Sequence, residues 1–342
     1  MDPDYHLSAV YPTNIDLPEG STLEQLIVIC RHGQRTPMIE RFSSLFPKLW
    51  PFCSSNYIIK KDNQLMPGIC YYGQLTDLGK IQMESLGRYI REYPLAFQKV
   101  FVRSTNIPRA LETAQNVMNG LGIQSKINVE YTDAEDSIYP PNHCQTLNKI
   151  VKEFTASFLK ENKNDLQRLS TTFDYEGLST HPLFDTLASW YAHQLNLPSN
   201  IKPKDFAEFT HYAAIEHWGP YVTEQGARLG IGRLLGDLTG YLQSNKDFIL
   251  LSGHDSTLAP VLSAYGVFGL NNIFWPPFGS AIFIERIKWQ NNQYARMRFN
   301  HQILSLPKCQ SKEQNGWCPL DVFKQITKDM TPIDFNKECN NK

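Results

Sequence analysis

The sequence predicts an α/β fold: a mostly parallel sheet flanked by helices, with an inserted, mainly helical cap. Three observations predict it. Short continuous apolar runs rich in β-branched residues recur at Leu26 to Cys30, Val100 to Val102 and Phe248 to Leu251, the pattern of strands buried on both faces. Helical spacing follows them, and the long stretch from Asp136 to Gln243 is predominantly helical in pattern.

In order along the chain, Leu26 to Cys30 is the first strand. Residues 38–72 fit a sheet-and-helix alternation poorly and read as a first cap segment. Thr76 then offers an N-cap to a helix whose expected apolar face is Leu78, Ile81, Leu86, Tyr89, Ile90 and Tyr93. Val100 to Val102 is the second strand, followed by a helix running through Arg109 to Leu121. After the helical segment 136–243, Phe248 to Leu251 repeats the strand pattern, and a helix begins past Asp255. Ala281 to Ile287 and Tyr294 to Asn300, joined by Gln290 to Gln293, read as an antiparallel hairpin. The expected division is α/β core over 1–37, 73–135 and 244–342, with cap segments at 38–72 and 136–243.

With 33 basic and 34 acidic residues the net charge is -1, so no global field favours nucleic acid, and any attraction to an anion must be local. No apolar run approaches the roughly 20 residues of a membrane helix, so no membrane insertion is expected. The polar start, Met1 to Leu17, is expected to be a mature N-terminus from which a signal peptide has been removed. None of the seven cysteines forms a Cys-x-x-Cys pair of the zinc or redox kind. Cys309 and Cys318 bracket a polar loop and Cys339 lies almost at the C-terminus, which points to disulfides and an oxidising compartment.

The chemistry concentrates at strand ends. Arg31-His-Gly-Gln-Arg-Thr-Pro37 follows the first strand, Arg103-Ser-Thr105 ends the second, and Ser252-Gly-His-Asp-Ser-Thr257 ends the Phe248 strand. If the three strands share a sheet, Arg31, His32, Arg35, Arg103, His254 and Asp255 gather at the carboxyl edge, where open α/β sheets bind ligands. Clustered guanidinium groups match a phosphate dianion and need no metal. No Cys-x5-Arg loop, P-loop lysine or carboxylate cluster supplies a nucleophile for its ester, which leaves His32, with Asp255 as the candidate proton donor.

These motifs resemble the histidine phosphatase superfamily, specifically its acid phosphatase branch. RHGQRTP matches that branch's R-H-G-x-R-x-P signature and SGHDST its His-Asp signature, and GQLTDLGKIQMESLGRYIR, VFVRSTNIPRALETA and the closing CPLDVF and PIDFNKEC are similar to prostatic and lysosomal acid phosphatases. The resemblance covers roughly the first third and the last quarter of the chain. It implies hydrolysis of small phosphomonoesters through a phosphohistidine on His32, with Arg31, Arg35, Arg103 and His254 holding phosphate, Asp255 donating the proton, and no cofactor. It also implies disulfides pairing Cys144 with Cys339 and Cys309 with Cys318. A third bridge of the animal enzymes lacks both its halves, at WYAHQLNLP and PPFGSAIF. Cys53 and Cys70 are then left to pair within the first cap segment, and Cys30 to be a buried thiol.

The absence of any N-x-S/T acceptor favours a bacterial secreted or periplasmic protein, with a lysosomal one as the alternative. A homodimer stays open as a protein partnership. The competing readings are a phytase or another branch of the superfamily, such as a phosphoglycerate-mutase-like protein, and a phosphate-binding pseudoenzyme. Intact His32 and Asp255 argue against the last.

Overall fold

The computed structural model describes residues 9, 11, 15, 17, 19–38, 50–54, 58–61, 64–67, 70–130, 136–195, 198–199, 201–312 and 316–340. Its centre is an eight-stranded sheet. The strands are β1 (Thr22–Arg31), β4 (Val100–Thr105), β5 (Ile127–Glu130), β6 (Phe248–Gly253), β7 (Ala281–Trp289), β8 (Asn292–Phe299), β9 (Gln302–Ile303) and β10 (Cys318–Pro319), with β2 (Ile58–Lys61) and β3 (Gln64–Pro67) forming a separate hairpin. The helices are α1 (Asp77–Arg91), α2 (Pro108–Leu121), α3 (Gln145–Glu161), α4 (Lys163–Phe173), α5 (His181–Ala192), α6 (Pro203–Trp218), α7 (Glu224–Gln243), α8 (Asp255–Ala264), α9 (Leu320–Asp329) and α10 (Phe335–Asn340). No helix among the described residues is long and apolar enough to cross a membrane.

The sheet order is β10-β8-β7-β1-β6-β4-β5, with β9 on β8; β1, β6, β4 and β5 run parallel, while β7, β8 and β10 are antiparallel. The three expected strands therefore lie side by side. In register, Arg31 sits opposite Gly253, so the two signature loops leave adjacent strands at the same height. The β7–β8 hairpin closes through Gln290 and Asn291 at φ 47° and 65°, the paired left-handed conformations that suit the sheet's twist.

Thr76 caps α1 as expected, accepting the Gly79 N–H. The expected apolar face needs correction: Leu78 and Ile81 are 45% and 57% exposed. The buried stripe is instead Gly79, Met83, Leu86, Gly87, Tyr89 and Ile90. The reason is close backbone approach, since a Cβ on Gly79 would fall 2.1 Å from Gln34 O and one on Gly33 would fall 2.6 Å from Gly79 O. Two glycines thus rotate α1 to press on the Arg31–Pro37 loop. Hydrophobic side chains there would push it away.

Helices α5 and α6 reach the carboxyl edge, where Asp185 pairs with Arg35 and His217 packs on Trp275, and α7 crosses the sheet face. It accepts Gln25 Nε2 at Tyr241 O and Arg286 Nη1 at Leu242 O, and Tyr241 packs on Phe101. Trp50, from the first expected cap segment, meets Trp190 of α5 edge-on at 6.0 Å. Disulfides join Cys53–Cys70, Cys144–Cys339 and Cys309–Cys318. Cys30 is a free thiol inside β1, pushed up to about 12 by burial, and so stays un-ionised.

Candidate active site

At the carboxyl edge of β1 and β6, His32 and His254 face each other with ring centroids 5.5 Å apart. Both are buried, as are Arg31 and Arg35. His32 Nδ1 lies 3.0 Å from the carbonyl oxygen of Gly33. A carbonyl can only accept, so Nδ1 carries the hydrogen and Nε2 keeps its lone pair. Burial, then the charges of Arg109, Arg35 and Arg31, hold the His32 ring far below the ordinary imidazole range. A ring in this setting stays neutral in acid, the condition for nucleophilic attack.

Arg31 is clamped from three sides. Its guanidinium lies 3.9 Å from the centre of the Phe278 ring, Nη1 donates to Pro276 O, and Nη2 pairs with Asp255 Oδ2 at 2.9 Å. Arg35 reaches Asp185 Oδ1 at 2.7 Å through Nη2 and Thr36 O at 2.8 Å through Nη1. His254 follows β6 and caps α8, its backbone N–H donating to Thr257 Oγ1, while its Nε2 lies 2.9 Å from Thr105 Oγ1 at the end of β4. Burial, then Arg109, lowers His254 to about 3.

Asp255 opens α8. Burial alone would raise its carboxyl, but Arg31, Arg35, His217 and His254 outweigh burial and hold it below the usual carboxylate range. Its place in the first helical turn adds a favourable dipole for the ionised form.

The structure brings together Arg31, His32, Arg35, His254 and Asp255, but it does not bring Arg103 to them. Arg103 pairs in register with Leu251, two residues below the level of Gly253 and Arg31. From there its side chain meets α7 and the loop after residue 135, donating to Asp237 Oδ2 at 2.8 Å and Ser137 Oγ at 2.6 Å, and lying 3.5 Å from Asp136. The expectation that Arg103 sits with the phosphate ligands is therefore corrected.

Arg109, in the first turn of α2, takes the place expected for it. Among the described residues no hydrogen bond or ion pair commits its guanidinium. Its charge is the strongest single charge on both His32 and His254. Burial and then Arg35 bring Arg109 down to about 10. Such crowding of cations is relieved by a bound dianion. Among the described residues, Arg109 Nε and Arg35 Nε are buried without an acceptor, as is Arg103 Nε, whose two outer nitrogens are already held. Pro108 at the first helical position was the available signal, because a helix N-terminus just past a strand end at this edge is an anion-binding place. Asp185, His217, Trp275 and Phe278 were also not singled out. They come from loops and helices whose spacing says nothing about the sheet edge.

The pattern that defines the histidine phosphatase superfamily (branch 2) matches residues 22–151 and 139–300. A probable acid phosphatase of Schizosaccharomyces pombe is 22% identical over 95% of each chain, and one of Dictyostelium discoideum is 27% identical over 98% of this chain and 84% of its own length. The human lysophosphatidic acid phosphatase type 6 is 26% identical over 88% of this chain and 82% of its length. Among solved structures, a Hafnia alvei phytase in complex with myo-inositol hexakis sulphate superposes with a TM-score of 0.69 at 16% identity, covering 95% of this chain and all of that one, a likeness of fold. With both signature loops inside the matched residues, the chain belongs to branch 2 of the histidine phosphatase superfamily.

Proposed function

We propose that this chain is an acid phosphatase that hydrolyses phosphate monoesters of small organic molecules through a phosphohistidine on His32, without a metal. The observation that carries the reading is a buried imidazole with a free Nε2, kept neutral by burial beside the guanidinium groups of Arg109, Arg35 and Arg31. Arg31, Arg35, Arg109 and His254 hold the phosphoryl oxygens. Nε2 of His32 forms the N–P bond as the P–O ester bond breaks, and Asp255 gives the departing oxygen its proton. The Asp255 carboxylate then takes a proton from water. That water attacks phosphorus, the N–P bond breaks, and inorganic phosphate leaves.

Before substrate binds, Asp255 is ionised in its pair with Arg31. A dianionic phosphoryl group beside Arg31 and Arg35 offsets the charge that depresses the carboxyl while the Arg31–Asp255 contact is kept, and so lets Asp255 take up the proton it must donate. Binding and acid catalysis are thereby coupled through one guanidinium.

A phytase reading is less favoured. A Cβ on Gly73 would lie 3.1 Å from Met38 Sδ and 3.8 Å from Arg109 Nη1, and Met38 is exposed on this side of the cation. That rim suits an apolar leaving group better than a polyanion. The three disulfides support export, to the exterior or a periplasm, or to a lysosomal lumen.

The test is to trap the intermediate. Labelled p-nitrophenyl phosphate quenched in alkali should leave label on His32, and His32→Ala should lower kcat by more than about 10⁴-fold with the fold intact. Turnover by the alanine variant near that of the parent would refute the mechanism.

A further inference from the structure

We propose that Trp275 is a positioning residue for proton transfer: its indole N–H and the Arg31 guanidinium together occupy Oδ2 of Asp255, which makes Oδ1 the atom that carries the transferable proton. The proposal rests on the reading of Asp255 as the acid.

Trp275 Nε1 donates to Asp255 Oδ2 at 2.9 Å, and Arg31 Nη2 reaches the same oxygen at 2.9 Å. Oδ1 accepts only the backbone N–H of Ser256, at 2.9 Å, among the described residues. A carboxylate oxygen has two in-plane lone pairs. Both lone pairs on Oδ2 point at donors, so a proton there would face another N–H, whereas Oδ1 has one lone pair open. As the ester bond breaks, its electron pair goes to the leaving oxygen, and the proton on Oδ1 passes to that oxygen. The carboxylate so formed has its charge met at Oδ2 by the two N–H groups already in place.

The indole is built to stay there. Trp275 is 5% exposed and is held by Phe184 at 4.0 Å, Trp218 at 4.9 Å and His217 at 5.1 Å between ring centroids. Phe184 lies on α5 directly before Asp185, which holds Arg35. Neighbouring residues of one helix thus brace the acid through Trp275 and the phosphate side through Arg35. The loop bearing Trp275 also holds Arg31, through Pro276 O.

The charged and titratable groups facing Asp255 are Arg31, Arg35, Arg109, His254 and His217. They remain when the indole N–H is removed, which isolates its contribution. A hydrogen bond to the ionised form favours that form by about one pKa unit. Trp275→Phe should therefore move the alkaline limb of kcat for an alkyl phosphate upward by about one pH unit. The p-nitrophenyl phosphate profile, with a leaving group that needs little protonation, should stay in place, and KM should change by less than about 3-fold. The substrate's own ionisation is common to parent and variant and cancels. If the phenylalanine variant does not fold, 3-benzothienylalanine at 275 keeps the bicyclic shape and replaces N–H by sulfur.

Asp255→Asn separates the two layers of the claim. If it lowers kcat for the alkyl ester far more than for p-nitrophenyl phosphate, the acid is right, and an unmoved limb in the Trp275 variants then overturns the role of the indole. If Asp255→Asn affects both esters equally, the acid assignment itself falls.

Discussion

Arg103 and Arg109 lie on either side of one strand end, and their surroundings differ as much as their positions. Arg103 lies inside β4, below the rim, where Asp237, Ser137 and Asp136 meet its outer nitrogens. Arg109 lies beyond the rim in the first turn of α2, with no such partner among the described residues and with its charge acting on His32 and His254. Pairing with a carboxylate does not by itself decide the role, since Arg31 and Arg35 pair with Asp255 and Asp185 yet stand at the rim, but a guanidinium crowded by other cations gains most from an incoming dianion. Height along a strand, more than residue type, separates a structural arginine from a ligand-binding one.

Removing each guanidinium in turn should separate the two. Arg109→Ala should lower kcat/KM by about 10²–10³-fold and weaken vanadate inhibition in parallel, with Arg109→Lys recovering part of both. Arg103→Ala should keep kcat/KM within about 10-fold of the parent yet lose on the order of 3 kcal/mol of stability, a fall of roughly 5 °C in Tm. That loss arises because burial already raises Asp136, and Arg103, with the Ile138 N–H and Arg233, works against that rise. The opposite ranking in kinetics and calorimetry would return Arg103 to the phosphate site.

Acid stability sharpens the same contrast. Burial first, then neighbouring cations including Arg109, lowers His32 and His254, the latter to about 3, from the usual 6.5. Burial and then His181 do the same to His217, also to about 3. Between pH 6.5 and about 3 the unfolded chain binds protons that the folded one refuses, so stability is full above 6.5 and declines as pH falls. Asp255 adds the same sign. Its depressed folded value gives stability that is present above the usual 3.8 and is lost as pH drops through the lower folded value. Tm should therefore fall as pH is lowered from 7 to 4. Arg109→Ala should flatten that slope by easing the field on His32 and His254, and a slope equal to the parent's would deny Arg109 its electrostatic role. The smallest expected effect is that of chelation: EDTA should leave kcat/KM of the parent and both variants unaltered, because arginines carry the charge a metal would supply.

Before any tertiary information, the residues themselves determined the three buried strands, their α/β alternation and the two signature loops. A short β-branched run such as Leu26 to Cys30 suits a strand covered on both faces, and parallel strands of this kind place their following loops at one edge. Those signals are local, and so are legible. Cys144–Cys339 and Cys309–Cys318 were within reach through the resemblance of the chain's ends to a known family.

Only the tertiary structure decided the rest, for a common physical reason: each answer depends on the offset between two elements. Whether Arg103 clears the rim depends on its pairing with Leu251, which no residue near it encodes. Which side of α1 is buried depends on Gly33 and Gly79 letting two backbones meet, and that contact put Leu78 and Ile81 in solvent. Trp275 meets Asp255 because α5 and α6 bring Phe184, His217 and Trp218 down onto it. Periodicity reports what a segment buries, and it is silent on the height at which a neighbour arrives.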